Sequence, residues 1–130
     1  MFERDAFLRA YNIDEADFKA ANVPWEELAA IYDDYLSIEG KLRGIGKEFV
    51  NDYLYDIERA GIHSYRYRTK SPGHLLEKII RKRSEHPGRS DHIDRTNYHK
   101  YITDLIRIRV FFCTGRTGFI FTIILQRCLK

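Results

Sequence analysis

A row of basic residues runs along one predicted strand and continues on the helix that follows it. Side chains two apart on a strand share a face and lie about 6.5–7 Å from each other, which is the length scale of a polyphosphate. On a helix, residues three and four apart share a face. The row consists of Arg66, Arg68 and Lys70 on the strand and Lys78, Arg81 and Lys82 on the helix. This spacing predicts a site for phosphate groups; a basic face that meets only solvent is the plainer alternative.

An acidic residue stands directly before a second predicted strand. Asp104 precedes the apolar run 106–112, and strand ends commonly present ligands to a metal. Mg²⁺ takes one or two carboxylates and completes its shell with phosphate oxygens and water, so Asp104 is a candidate ligand. Arg109, within the strand, is a candidate for stabilising charge at the same site. A salt-bridge or helix-terminus aspartate explains Asp104 equally well.

The charge is distributed unevenly along the chain. Residues 1–60 contain 14 acids and 7 bases, for a net charge of −7, whereas residues 61–130 contain 5 acids and 15 bases, for +10. The overall charge of +3 conceals this difference. A strongly basic half favours a partner rich in phosphate or carboxylate.

The composition is that of a soluble globular protein. The chain has 130 residues, of which 44% are hydrophobic and 32% charged, and this length suits one domain. Residues 1–9 mix charged with apolar side chains, so we expect no secretory signal and a cytoplasmic location. We expect no membrane span, because the apolar run 119–125 is only about a third of the length needed. Cys113 and Cys128 are the only cysteines, which favours two reduced thiols over a disulfide framework or a zinc site.

The periodicity of apolar residues predicts an α+β fold with N-terminal helices packed on a small mixed β-sheet. The expected elements follow in chain order. They are two short helices on either side of Asn12, with Asp14 as a cap; a helix over 24–60, bent or broken at Gly40, Gly44 and Gly46 and ended by Gly61; a strand over 62–70; a helix from Ser71 and Pro72 to Glu85; a loop over 86–97; a helical turn over 101–104; a strand over 106–112; a Gly115–Gly118 turn; and an apolar run over 119–125.

Two separated blocks of sequence resemble the RelA/SpoT-type alarmone synthetase domain. Arg68 and Lys70 form an R-x-K motif, Lys78 and Arg81 form K-x-x-R, and residues 104–110 read D-L-I-x-I-R-V. The resemblance covers residues 62–110. It implies a nucleotidyltransferase-like fold and a GTP pyrophosphokinase activity, in which pyrophosphate passes from ATP to GDP or GTP to give guanosine tetraphosphate or pentaphosphate.

The resemblance also implies roles for individual residues. The four cations of the two motifs would bind ATP, with Arg68 near the adenine and the lysines on the phosphates. Asp104 would bind Mg²⁺, and Arg109 would be the catalytic arginine that supports the site. Phosphoryl-type transfer depends mainly on positioning and on cations that spread developing charge, which agrees with these roles.

The sequence departs from the family in several places. Arg107 occupies a position that is usually glycine or alanine, and His74 one that is often serine. Residues 105–130 contain no Asp, Glu or Tyr, whereas the family has a second metal-binding carboxylate and a guanine-stacking tyrosine after the first carboxylate. We therefore expect one partial domain over 1–130, with a helical part over 1–60, an ATP half-site over 61–112 and a divergent tail over 113–130. A frameshifted or prematurely stopped reading frame is a hypothesis that would account for this tail.

The expected consequences are little or no pyrophosphate transfer, a doubtful site for the GDP or GTP acceptor, and a tendency of the 119–125 run to drive homo-oligomerisation through an exposed sheet edge.

Three alternatives stay open. Partner chains, or Asp91 or Asp94, could complete an active site. The basic half could bind nucleic acid or the ribosome, with Tyr65, Tyr67, Tyr98 and Tyr101 as stacking groups. The chain could also be a regulatory or non-catalytic remnant of a synthetase.

Overall fold

A computed structural model describes residues 3–54, 62–89, 92–114 and 117–124 of the chain. The fold is α+β, as predicted. Its elements are α1 (Arg4–Ala10), α2 (Glu15–Ala21), α3 (Trp25–Phe49), a π-helical segment (Val50–Leu54), β1 (Ile62–Thr69), α4 (Pro72–Glu85), α5 (Tyr98–Tyr101), β2 (Ile106–Thr114) and β3 (Thr117–Ile124). Within the described ranges, no helix combines the length and the apolar character needed to cross a membrane.

The chain forms two compact units. The first comprises Met1–Ser37 and Ser71–Ile102, and the second comprises Ile38–Lys70 and Thr103–Lys130. The predicted basic strand and the predicted basic helix therefore belong to different units, because the division falls between Lys70 and Ser71.

Helix α4 of the first unit begins and ends as its sequence predicts. Ser71 is the N-cap, and its hydroxyl accepts a hydrogen bond of 3.3 Å from the backbone N–H of His74. Pro72 occupies the first helical position, where no backbone donor is needed. The four apolar residues at helical spacing are all buried: Leu75, Leu76, Ile79 and Ile80. Asp14 likewise stands at the N-cap position of α2, as predicted.

A buried arginine holds three segments of the first unit together. Arg83 is 7% exposed and lies on the buried side of α4. Its guanidinium donates to the backbone carbonyls of Ala21 at 2.7 Å, Asn22 at 2.7 Å and Ile93 at 2.8 Å. Ala21 and Asn22 end helix α2, where carbonyl oxygens lack partners within the helix. The cation thus caps α2 and fixes the loop around Ile93.

The prediction of a helical turn over 101–104 is wrong by three residues. The turn is α5, Tyr98–Tyr101, and the chain is extended at Ile102. Asp94 starts the turn early, because its backbone carbonyl accepts from the N–H of Tyr98 at 3.0 Å. Tyr98 is fully buried, and its hydroxyl donates to Asp34 at 2.6 Å. Burial, followed by this hydrogen bond, raises the pKa of Tyr98 well above its ordinary value.

The second unit contains a three-stranded sheet in the order β1–β2–β3. Both strand pairs are antiparallel, so the prediction of a mixed sheet is wrong for the described residues. Strands β2 and β3 are separated by only two residues, a connection that permits antiparallel pairing and is too short for a parallel crossover. Most of the apolar run 119–125 forms β3, while Gly61 and the beginning of the predicted Gly115–Gly118 turn lie outside the described residues.

Helix α3 is not broken by its glycines. The helix is continuous from Trp25 to Phe49, although a glycine costs about 1 kcal/mol in a helix interior. A Cβ atom on Gly46 would lie 3.2 Å from the ring of Tyr67 and 3.4 Å from Ile106. The absence of a side chain therefore allows the end of α3 to approach the sheet closely. Gly46 therefore has a packing role at the end of α3, whereas a Cβ atom on Gly40 or Gly44 would meet no atom within 4 Å.

We expect Gly73→Ala to destabilise the protein by about 1–3 kcal/mol through overpacking. An ideal Cβ atom at this position would lie 1.9 Å from the Tyr11 hydroxyl oxygen and 2.7 Å from its ring carbon. The Tyr11 ring packs on Phe7 and His74, with centroid distances of 4.7 Å and 5.2 Å, so it cannot move without cost. Urea unfolding followed by circular dichroism measures the effect.

The matched control for Gly73→Ala is Gly44→Ala, whose Cβ would meet no atom within 4 Å. This change should stabilise the helix by up to about 1 kcal/mol. Equal effects of the two substitutions would contradict the predicted clash.

Candidate phosphate-binding site

The centre of the candidate site is a carboxylate held between two cations in the second unit. Asp104 is buried, with its side chain 8% exposed. Its Oδ2 atom lies 3.0 Å from Lys70 Nζ and 3.2 Å from Arg107 Nη2. The structure thus brings together Lys70, predicted as a phosphate ligand, and Asp104, predicted as a metal ligand.

The register of β1 and β2 places these two residues side by side. Thr69, the last residue of β1, pairs with Ile106, the first residue of β2. The backbone N–H of Lys70 then donates to the carbonyl of Leu105 at 2.8 Å, which extends the pairing one step beyond the strands. Because the strands are antiparallel, the residue after β1 and the residues before β2 meet at the same end of the sheet.

Arg107 lies beside the carboxylate, at a position where the resemblance led us to expect a small residue. Its contact with Asp104 is an ion pair within one segment, with the partners three residues apart. The large side chain is therefore accommodated, and it adds a second positive charge next to Asp104.

One face of the sheet is covered with arginine. Cross-strand partners in an antiparallel pair project to the same face. Arg66 pairs with Arg109, and Arg68 pairs with Arg107, so four guanidinium groups share that face. Arg66, Arg68 and Arg109 are exposed, and Arg107 is partly exposed.

The opposite face of the sheet is apolar and aromatic. On it, Tyr65 pairs with Val110 and Tyr67 pairs with Ile108. Both aliphatic residues are buried, and Tyr67 lies against α3 near Gly46. The predicted separation of tyrosines from basic residues along β1 is therefore confirmed.

A hollow of about 360 Å³ opens on the sheet of the second unit. It is lined by Tyr65, Arg66, Tyr67, Arg68, Arg107 and Arg109. Within the described part of the chain, the side chains of Arg66, Arg68 and Arg109 form no hydrogen bond or ion pair. Their positive charge is therefore available to an anionic ligand.

The other two predicted ATP ligands, Lys78 and Arg81, lie on α4 in the first unit. Lys78 is partly exposed and Arg81 is exposed. Arg81 lines a hollow of about 250 Å³ whose other lining residues include Asp17, Glu77 and Glu85. A phosphate bound in that hollow would meet three carboxylates, so the local charge favours phosphate less there than on the arginine face.

Among the described residues, Asp104 does not belong to a cluster of metal-ligating side chains. No group of three or more His, Cys, Asp or Glu side chains able to hold a metal ion occurs among the residues that the structure describes. A magnesium ion bound at Asp104 would take its remaining ligands from phosphate oxygens and water, which is common for this ion in nucleotide sites.

Asp91 and Asp94 are the two predicted substitutes for a second metal ligand. Asp94 belongs to the first unit, and its Oδ1 atom accepts hydrogen bonds from the hydroxyl and the backbone N–H of Thr96. These two bonds lower the pKa of Asp94. The residue is therefore engaged in a turn. Asp91 lies outside the described residues.

The sequence motifs did not indicate Arg66 and Arg107 as members of one arginine face, although a pattern that includes both residues is present. Each strand carries an R-x-R motif, Arg66 with Arg68 and Arg107 with Arg109. Two such motifs on paired antiparallel strands combine into one four-arginine face only in a particular register, which one sequence does not reveal.

Comparison with family models, characterised proteins and solved structures found no match to this chain. The fold and the site themselves define an α+β protein with a cationic sheet face and one buried carboxylate at its end.

Proposed function

We propose that the chain binds magnesium–ATP as an alarmone synthetase-like domain, with its metal and phosphate contacts centred on Asp104 and Lys70. The distance of 3.0 Å between Lys70 Nζ and Asp104 Oδ2 is the observation that carries this proposal. A metal bound by the carboxylate and a phosphate bound by the ammonium group would be immediate neighbours. A magnesium–phosphate complex can be bound by this arrangement.

The electrostatics of the second unit support the proposal. Without ligand, the charge of Asp104 is offset by Lys70 and Arg107. Asp104 would hold magnesium, whose charge would offset the carboxylate, and Lys70 and Arg107 would then be able to contact the phosphate oxygens. Arginine and lysine at hydrogen-bond distance from phosphate form charge-assisted contacts, which are about twice as strong as neutral ones.

The proposal gives the remaining predicted residues their roles. Arg68 contacts the nucleotide on the sheet face, while Arg109 stabilises negative charge on the phosphates of the bound nucleotide. Lys78 and Arg81, which lie on α4 of the first unit, remain predicted phosphate ligands. Substitution of each residue tests its role separately.

We further propose that this 130-residue chain transfers pyrophosphate to GDP or GTP negligibly. Residues 105–130 supply no carboxylate for a second metal contact and no tyrosine to stack on an acceptor base. Transfer depends on holding the acceptor in line with the donor, because the enzyme contributes mainly positioning and charge stabilisation. A bound ATP donor alone provides neither the position of the acceptor nor stabilisation of the charge that develops during transfer.

The proposal is tested by titrating the purified chain with a non-hydrolysable ATP analogue, with magnesium and then with EDTA. We expect binding that weakens at least about tenfold when the metal is removed. Labelled ATP with GDP or GTP should yield no transfer product above a protein-free control. Equal affinity with and without magnesium would overturn the metal role, and detectable product would overturn the expected lack of transfer.

A further inference from the structure

The four-arginine face, formed by Arg66, Arg68, Arg107 and Arg109, places like charges directly opposite each other. Arg66 faces Arg109 and Arg68 faces Arg107 across the β1–β2 pair. Opposed side chains in an antiparallel pair have Cβ atoms about 4.5–5.5 Å apart, and like charges at this position destabilise the sheet. Two such pairs in succession therefore lower the stability of the protein without ligand.

The described structure offers this face little internal compensation. Among the described residues, the one ion pair on this face joins Arg107 to Asp104. The side chains of Arg66, Arg68 and Arg109 contact no carboxylate among the described residues, and no acid lines the hollow of about 360 Å³. A feature that costs stability and remains uncompensated is typical of a ligand site.

We infer that the four-arginine face binds an oligophosphate chain without the help of a metal ion. The ligand is the linear phosphate chain of a free nucleotide or of inorganic polyphosphate. This inference goes beyond magnesium–ATP binding at Asp104, because it adds Arg66 as a phosphate ligand and requires neither the carboxylate nor magnesium.

The geometry of the face favours this chemistry. Each guanidinium offers a planar fork of N–H donors that matches a phosphate and stays charged at all relevant pH values. The two pairs are about 6.5–7 Å apart along the strands, so successive phosphates of one chain can reach both. A hollow of about 360 Å³ falls within the usual size of a small-molecule site, whereas a long nucleic acid requires an extended groove.

The test is a calorimetric titration with inorganic tripolyphosphate in EDTA. We expect the wild-type chain to bind and Arg66→Gln to weaken binding about tenfold or more, because one charge-assisted contact is lost. The affinity of Arg66→Lys should lie between those of wild type and Arg66→Gln, since lysine keeps the charge but lacks the planar set of N–H donors. Arg89→Gln is the matched control, because it removes the same charge from an exposed position in the other unit and should leave binding unchanged.

Thermal unfolding without ligand provides an independent readout. Arg66→Gln relieves the repulsion with Arg109, so it should raise the melting temperature by about 1–3 °C while weakening binding. A merely structural arginine would give the opposite change in stability. A lower melting temperature of this variant would overturn the argument from repulsion.

Two further results would overturn the inference. One is no binding of tripolyphosphate by folded wild-type protein in EDTA. The other is binding of a single-stranded RNA oligonucleotide that tripolyphosphate does not displace, which would assign the face to nucleic acid. Failure of magnesium–ATP binding is a separate outcome, because the EDTA titration contains neither magnesium nor a nucleoside.

Discussion

Asp104→Asn is expected to abolish magnesium-dependent nucleotide binding while leaving the chain folded. The substitution keeps the shape of the side chain and removes its negative charge. A neutral amide is a weak ligand for magnesium, and loss of a principal metal ligand should weaken binding by at least about 100-fold. Calorimetric titration with a non-hydrolysable ATP analogue and magnesium measures this change.

The same substitution should also reduce stability. Lys70 and Arg107 both pair with Asp104, and removing a buried partner leaves their charges uncompensated. Complete burial of such a pair would make the loss about 3–5 kcal/mol, but both cations are partly exposed, so we expect about 1–3 kcal/mol. Binding is therefore compared at a temperature where circular dichroism shows both proteins to be folded.

Asp33→Asn is the matched control for Asp104→Asn. Asp33 is exposed on α3 and belongs to the first unit. The same isosteric change there should appreciably alter neither magnesium–nucleotide binding nor stability. If Asp104→Asn bound magnesium–ATP as tightly as the wild type, Asp104 would be a structural ion-pair residue and not a metal ligand.

Arg83→Met is expected to cause the largest loss of stability, about 3–5 kcal/mol, by breaking three hydrogen bonds at once. The guanidinium donates to the carbonyls of Ala21, Asn22 and Ile93 at 2.7–2.8 Å. Methionine fills similar volume and cannot donate, so buried carbonyl groups are left without partners, at about 1–3 kcal/mol for each. Part of this loss is recovered where water reaches the freed groups.

Urea unfolding of Arg83→Met, Arg83→Lys and Arg81→Met checks this expectation. Lysine keeps the charge but can donate to only some of the three carbonyls. The stability of Arg83→Lys should therefore lie between those of wild type and Arg83→Met. Arg81 is two residues earlier on the same helix and exposed, so Arg81→Met should change stability by less than about 0.5 kcal/mol. Similar losses for Arg81→Met and Arg83→Met would contradict the capping role of Arg83.

The elements that the sequence predicted well are those whose signals are local. Helix α4 has a capping serine, a proline in its first turn and apolar residues at helical spacing, and each signal acts within a few residues. Strand β1 has a regular alternation of tyrosine and basic residues. Sequence motifs also indicated Lys70 and Asp104, and the structure brings these two residues together, although their roles as ligands stay predictions.

The features that the sequence did not predict depend on contacts between distant segments. Gly46 lies where α3 approaches Tyr67 and Ile106 of the sheet. Arg83 is a charged residue at an apolar position of α4, and its acceptors lie in α2 and in a loop. The four-arginine face requires the register of β1 with β2, which no local signal fixes.

The most direct test of the central claim is titration of wild type, Lys70→Met and Lys41→Met with a non-hydrolysable ATP analogue in magnesium. Lys41 is an exposed lysine on α3 and controls for the loss of one positive charge. We predict that wild type and Lys41→Met bind alike and that Lys70→Met binds at least about tenfold more weakly. Equal binding by all three folded proteins, or no binding by wild type, would contradict a magnesium–ATP site at Asp104 and Lys70.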